Sequence, residues 1–354
     1  EKLYRSMLGN DPTPRAVRPV AGPARPPVIL PPDLADFTGR AAPLSRLHTL
    51  MTAERARIVL VTGPVGIGKT SLAVHAATLA ERRFPGGRIF LNARTEQGAA
   101  RSSRSVLQDL VRFAGVAVPD GCDCDELAGR WQHWLMDRQV LLVLDDVCDS
   151  TVLQAVLPLS GGSMVLATTR RHIAGLEYAA RVELAPMEAS EAVVLLSRII
   201  GAVRVAADQP AALRIVRSVG LSPLAVRTVG AKLAALPYLR LSELAARLED
   251  PDQLLNEMCT AQSGMRSRLA AGLADLANPE RSALQRLASI ATPRFTQEQA
   301  LTVLSEVPDR VRRLLESLIE VNAVTAPTAE VTAHAAVYEL PMLLRCYVRE
   351  LAAG

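Results

Sequence analysis

Five apolar or β-branched residues, Ile58-Val59-Leu60-Val61-Thr62, run into the turn Gly63-Pro64-Val65-Gly66-Ile67-Gly68, and Lys69-Thr70-Ser71 opens a helical stretch reaching Ala80. Gly63 to Thr70 fits the spacing G-x-x-x-x-G-K-[ST] in the strand–turn–helix context that gives this spacing its meaning. Each residue type has a physical reason. Glycines let successive backbone N–H groups curl around phosphate oxygens, and the helix N-terminus adds its partial positive charge. The stretch makes Gly63, Val65, Gly66, Ile67, Gly68, Lys69, Thr70 and Ser71 the candidate phosphate-binding residues, with the Lys69 ammonium on the β- and γ-phosphates and the Thr70 hydroxyl on Mg²⁺. The expected ligand is a nucleoside tri- or diphosphate.

Composition sharpens this in one respect. Of the 40 Lys+Arg, only Lys2, Lys69 and Lys232 are lysines. A chain that writes nearly every basic position as arginine keeps a lysine where a compact ammonium suits phosphate. The formal charge of +4 over 354 residues is too mild to support a nucleic-acid surface by itself. No apolar run reaches the length of a membrane span, no signal peptide opens the chain, and the first residue is Glu1, so a cytoplasmic piece of a longer protein is expected. The five cysteines (Cys122, Cys124, Cys148, Cys259, Cys346) are odd in number and lack paired metal spacing, as in a reduced protein.

Along the chain, residues 1–10 read as the end of a helix. Eight prolines between Asp11 and Pro32 mark an extended linker, assigned to residues 11–36. A helix is expected over Pro43–Ala56, a short strand over Arg88–Asn92, and helices over Ser103–Phe113 and Asp125–Met136. Val140-Leu141-Leu142-Val143-Leu144 runs unbroken into Asp145-Asp146, and Met164 to Thr169 runs into Arg170. Such runs read as strands of a parallel sheet buried on both faces. Strands alternating with helices give a doubly wound α/β sheet, whose ligands sit at the carboxyl ends of the strands. The phosphate loop, Asp145-Asp146 and Thr169-Arg170 all fall at such ends.

After Pro186 the strands stop, and helical periodicity over Met187–Ile200, Ala211–Val219, Pro223–Leu236 and Leu241–Leu248 suggests a small all-helical domain. Helices over Pro279–Ile290, Gln297–Leu304 and Asp309–Val321, a hairpin of 323–326 with 337–340, and a last helix over Met342–Leu351 suggest a winged helix. Arg312, Arg313, Arg345 and Arg349 in this region are interspersed with acids and make no clean basic face.

Asp145 at its strand end suits a Mg²⁺-holding acid, and Asp146 suits orientation or deprotonation of an attacking water; the pair also reads as an exposed turn start. Arg170 suits contact with a γ-phosphate, or a surface ion pair. His172 and His334 receive no role.

The order Phe37-Thr38-Gly39-Arg40, phosphate loop, Phe84-Pro85-Gly86-Gly87, Leu142-Val143-Leu144-Asp145-Asp146, Thr168-Thr169-Arg170, Ser222-Pro223-Leu224-Ala225 resembles the NB-ARC module of STAND-class signal-transducing ATPases. Within that class the chain resembles the large Streptomyces antibiotic regulatory proteins of the SARP family. The resemblance implies a nucleotide-binding domain over 37–185, a helical domain over 186–264 and a winged-helix domain over 265–354. It also implies that residues 1–10 end a transcriptional activation domain, with DNA and RNA polymerase contacted by domains N-terminal to this chain. The module would be a switch: ADP holds it closed, and ATP opens it for homo-oligomerisation, with slow hydrolysis as the reset. By matching positions, Phe37, Thr38, Gly39 and Arg40 would lie near adenine and Pro223 would pack on the base. Lys69, Asp145, Asp146 and Arg170 would form the hydrolytic set, and Thr70 and Asp145 would serve Mg²⁺. Where the family often has a His-Asp pair opening the last helix, with its histidine on the ADP β-phosphate, this chain has Pro341-Met342. Neither side chain can donate that contact, so ADP locking is expected to be weaker or to use another residue. A STAND ATPase with a non-DNA effector and an AAA+-type motor with steady turnover are the alternatives; a small-molecule kinase lacks an apparent acceptor pocket.

Overall fold

The computed structural model describes residues 27–53, 57–118, 121–158, 161–251, 253–258, 264–326 and 337–353. The expectations for residues 1–26, Cys259 and His334 lie outside them. The first half contains β1 (Val28–Ile29), α1 (Ala41–Thr52), β2 (Ile58–Thr62), α2 (Lys69–Leu79), β3 (Gly87–Asn92), α3 (Ser103–Phe113) and α4 (Cys124–Leu135). Then come β4 (Val140–Val147), α5 (Ser150–Val156), β5 (Met164–Thr169) and β6 (Ala180–Glu183). The six strands form one sheet in the order β1-β3-β4-β5-β2-β6, and every pairing is parallel.

The unbroken apolar runs follow from this placement. In β2, Ile58 and Leu60 join the core beneath α3, α4 and α5, while Val59 and Val61 join the opposite core with α1 and α2. Leu142 and Leu144 against Leu141 and Val143 divide the same way in β4. Both faces of each central strand are covered, so no position is left for a polar residue until the strand ends. At about 1.5–3 kcal/mol for each fully buried Val, Leu or Ile, the central strands hold the frame rigid beneath the turns that follow them.

The second half is helical: α6 (Ala189–Ile200), α7 (Ala202–Ala207), α8 (Gln209–Ser218), α9 (Pro223–Ala235), α10 (Leu241–Leu248), α11 (Leu254–Met258) and α12 (Met265–Leu273). It ends with α13 (Asn278–Ala288), β7 (Arg294–Thr296), α14 (Gln297–Leu304), α15 (Pro308–Glu320), β8 (Val337–Glu339) and α16 (Met342–Ala353). One apolar core runs from Met187 to Val348 through all of it. β7 pairs antiparallel with β8, and Thr325 exchanges two 2.8 Å backbone hydrogen bonds with Glu339 on the other side.

Several expectations need correction. The stretch assigned to a linker over 11–36 contains β1, which pairs parallel with β3 at the sheet edge. An edge strand needs hydrogen bonds on one side only, so it tolerates flanking prolines that would break a central strand. The expected Pro43–Ala56 helix begins at Ala41 and ends at Thr52, because Arg40 in the left-handed region starts it and Ala53 is extended. β6, β7, α7, α11 and α12 were not anticipated; each strand has three or four residues and the helices have five to nine, too few for a clear period. Arg345, grouped with the basic surface residues, is buried with 3% exposure, and its guanidinium donates to the Ile290 and Ala291 carbonyls.

Candidate functional site

The site lies where β2, β4 and β5 end. Gly63, Gly66 and Gly68 all have positive φ (142°, 80° and 94°), so the chain from β2 to α2 follows a path that side chains resist. A Cβ on Gly63 would sit 2.8 Å from the Leu184 carbonyl oxygen, which leaves no room for another residue. Lys69 opens α2 yet is only 9% exposed; its ammonium folds back to donate to the Gly63 carbonyl at 2.7 Å and the Pro64 carbonyl at 2.9 Å. Burial, with the Arg170 charge adding to it, pulls the Lys69 pKa down to about 8 from 10.5. A buried cation held only by carbonyls is suited to meet an anion.

Thr70 and Asp145 meet as the sequence suggests. Thr70 Oγ1 donates to Asp145 Oδ1 at 2.7 Å, and Thr168 Oγ1 donates to the same oxygen at 2.6 Å. Burial raises the Asp145 carboxyl above its ordinary pKa, and the two hydroxyl hydrogen bonds work against that rise. Thr168 Oγ1 also accepts from the Asp146 N–H at 2.9 Å, so one buried hydroxyl orients both acids. Asp146 has φ 59°, and the β4–β5 register shifts between Leu144 and Val147. A bulge of this kind re-aims a side chain at a strand end. It turns the Asp146 carboxylate to Arg170, whose Nη2 donates to Oδ2 at 2.7 Å. Arg170 Nη1 is buried without a hydrogen-bond partner.

The loop from the helical half closes over this cradle. Leu224 N–H and Ser222 Oγ donate to the Gly66 carbonyl at 3.2 and 3.1 Å, and Pro223 Cγ lies 3.7 Å from where a Gly68 Cβ would stand. Arg40 Nη2 donates to the Ile67 carbonyl at 2.9 Å and Nη1 to that of Ala185 at 2.6 Å, while the Arg40 N–H donates to Glu191. Thr38 Oγ1 donates to the Asp36 carbonyl. Phe37 stacks on His75 with ring centroids 4.0 Å apart, and Arg198 donates to its carbonyl. Thus Arg40 and Pro223 reach the phosphate loop, whereas Phe37 packs on a ring of α2. Ile67 is buried, Val65 packs partly into the helical core, and Ser71 is half-buried on the first turn of α2.

The last third of the chain also reaches the site. Asn322 Nδ2 donates to the Arg170 carbonyl at 2.9 Å, and the His172 N–H donates to the Glu320 carbonyl at 2.6 Å. A Cβ on Gly272 of α12 would stand 2.5 Å from Val65 Cγ2 and 4.0 Å from Arg170 Nη1. Met342 packs against Gly220, directly before the Ser222-Pro223 turn. Met342 therefore brings an apolar side chain beside the turn that closes over the phosphate loop.

Sequence reasoning missed Arg94, Asn322, Gly272, Asp275 and the double role of Thr168. The Thr168-Thr169-Arg170 run was visible; the partners of the other four lie too far along the chain to read.

The residues fit a nucleoside phosphate with a divalent cation. The glycine cradle, the carbonyl-held Lys69 and the unpartnered Arg170 Nη1 suit phosphate oxygens, and the Thr70 and Asp145 oxygens suit the cation. Among the described residues no three His, Cys, Asp or Glu side chains converge as a metal site, so a cation here would draw its other ligands from phosphates and water. No helix among the described residues is long and apolar enough to cross a membrane.

Residues 44–205 match the family model of the NB-ARC domain. The chain is 33% identical over 304 residues to the regulatory protein AfsR of Streptomyces griseus and 31% identical over 307 residues to that of Streptomyces coelicolor. Both alignments cover 84% of this chain, which spans 31% of the length of each relative. A solved STAND protein with a tetratricopeptide repeat sensor from Pyrococcus horikoshii is 17% identical, with a TM-score of 0.45 over 90% of this chain and 43% of that one. The glycine cradle between β2 and α2, the acids near the end of β4 and the match over 44–205 have one reading together: residues 44–205 form an NB-ARC domain, and the chain is similar to the AfsR regulatory proteins.

Proposed function

We propose that this chain is the ATP/ADP-switched regulatory module of a SARP-type transcription activator of antibiotic genes. The observation that carries the reading is the buried Lys69 ammonium beside an unpartnered Arg170 Nη1, under a lid made by both the helical half and the last third of the chain. A phosphate cradle covered in this way retains its ligand better than it turns ligand over.

The order α13, β7, α14, α15, the Thr325–Glu339 pairing and β8 supports reading the last third as a winged helix. Lys69 and the loop N–H groups would hold the β- and γ-phosphates, and Thr70 with Asp145 would hold Mg²⁺, which supplies charge neutralisation at the phosphates. Arg40 and Pro223, beside Phe37, Thr38 and Gly39, would border the base. Arg170 would recognise the γ-phosphate. Asp146 would orient the attacking water once Arg170 turned away from it, and hydrolysis would be the slow reset. In the ATP form the module would form homo-oligomers, and DNA and RNA polymerase would be engaged by domains N-terminal to it, in the cytoplasm.

The test is the nucleotide carried by the purified chain, released by denaturation and separated by chromatography. Stoichiometric ADP is the expected result. An empty chain that hydrolyses added ATP at many turnovers per minute would overturn the switch and favour a motor.

A further inference from the structure

Asp146 is approached by two arginines. Besides Arg170 Nη2 at 2.7 Å, Arg94 Nε lies 3.2 Å from the same Oδ2 atom. Arg94 follows β3 and is held by its other nitrogens: Nη1 donates to the Gly98 carbonyl at 2.7 Å and Nη2 to Asp275 Oδ2 at 2.6 Å. Burial weighs against the Arg94 charge, but Asp275 first and then the other nearby acids outweigh it, so its pKa is raised. Its side chain is 9% exposed, that of Asp146 14%, and that of Asp275 39%.

Two details mark the chain Arg170–Asp146–Arg94–Asp275 as more than a surface network. Asp275 stands in the turn just after α12, where the helix carbonyls disfavour an acid. Its local position is poor, and Arg94, 181 residues away in sequence, supplies the compensation. Moreover, both cations have a buried nitrogen without a hydrogen-bond partner, Arg170 Nη1 and Arg94 Nε. Neither has its full complement, so both gain from a change of partner.

We propose that Arg94 is a positioning residue that couples the phosphate site to the last third of the chain by partner exchange. This rests on the nucleotide reading above. A γ-phosphate takes Arg170 from Asp146; Asp146 then closes on Arg94 Nε; and Arg94 gives up Asp275, the most exposed of the four side chains. Each buried charge keeps an opposite neighbour throughout, and the only group released goes to water. The Arg94–Asp275 pair is thus the polar lock that Pro341-Met342 does not provide, and its strength depends on the phosphate.

The experiment uses release of a fluorescent ADP analogue, with limited proteolysis of the chain, without nucleotide and with a non-hydrolysable ATP analogue, as a second readout. Asp275→Asn removes the lock while leaving every residue at the phosphates in place. Release faster by about tenfold is expected, the size of a charged hydrogen bond in a partly buried pair. Earlier proteolytic cleavage after α12 is expected as well, and Asp275→Glu should restore both. Asp146→Asn cannot attract Arg94, so adding a non-hydrolysable ATP analogue to it should leave cleavage at the closed-state rate, whereas wild type is cleaved faster. Unchanged release and cleavage in a folded Asp275→Asn chain overturn the lock, and an Asp146→Asn chain that opens like wild type overturns the exchange. A wild-type chain that binds no fluorescent nucleotide at all overturns the nucleotide reading instead.

Discussion

Lys69 sits in a conflict that only a ligand resolves. Its ammonium is buried against two carbonyl oxygens with Arg170 nearby, and its pKa falls to about 8. A lysine whose folded pKa lies below its unfolded value binds fewer protons folded than unfolded between the two, so the unliganded fold gains stability as pH rises from about 8 towards 10.5. Phosphate reverses this, because an anion beside the ammonium favours the charged form. Nucleotide binding at pH 8 should therefore take up about half a proton per site, the share that an unliganded lysine of that pKa lacks. At pH 6.5 the Lys69 contribution should vanish. Calorimetry in buffers of different ionisation enthalpy measures the uptake, and equal values at both pH values would remove Lys69 from the phosphate site. At this scale the sequence was informative wherever a motif fixes neighbours along the chain: Lys69, Thr70 and Asp145 needed only spacing. Arg94 and Asp275 were not legible, because they lie 181 residues apart and the nine-residue α12, whose end makes Asp275 unusual, is itself too weakly patterned to read.

The elements divide by the same logic. β2, β4 and β5 were legible because burial on both faces leaves long apolar runs, and the ends of these strands carry the acids and the arginine. β1 and α12 were not, one being two residues among prolines and the other nine residues with a weak pattern. Yet α12 reaches the site, since Gly272 places it directly on Val65 of the phosphate loop. Alanine is the better helix former by about 1 kcal/mol, so Gly272→Ala should not weaken α12 itself. Its methyl would meet Val65 Cγ2 at 2.5 Å and push α12 off the loop. Faster ADP release with an unchanged unfolding midpoint is the expected outcome. Adding Val65→Ala should return release towards wild type, and a Gly272→Ala chain that releases ADP normally would show that α12 does not press on the loop.

For the whole molecule, the two seams around the cradle differ in how they are closed. The helical half is fastened to the sheet by several strong contacts. Asp36 and Arg227 form two parallel 2.7 Å hydrogen bonds, which hold the Asp36 carboxyl below its ordinary pKa. The Arg40 N–H donates to Glu191 of α6 at 3.0 Å, and Leu224 N–H reaches Gly66. The last third meets the sheet through single hydrogen bonds from Asn322 and His172 and the Arg94–Asp275 pair. Bidentate and buried contacts outlast single ones when charge rearranges nearby, so the second seam should part first. Two backbone amides report on the seams separately: His172 N–H donates to Glu320 across the second, and Leu224 N–H donates to Gly66 across the first. On adding a non-hydrolysable ATP analogue, hydrogen exchange at His172 should accelerate while Leu224 stays protected. If both amides lose protection together, the molecule opens as one and the helical half is no part of the nucleotide's permanent seat. If neither changes, the γ-phosphate does not reach the seam, and Arg170 pairs with Asp146 for stability alone.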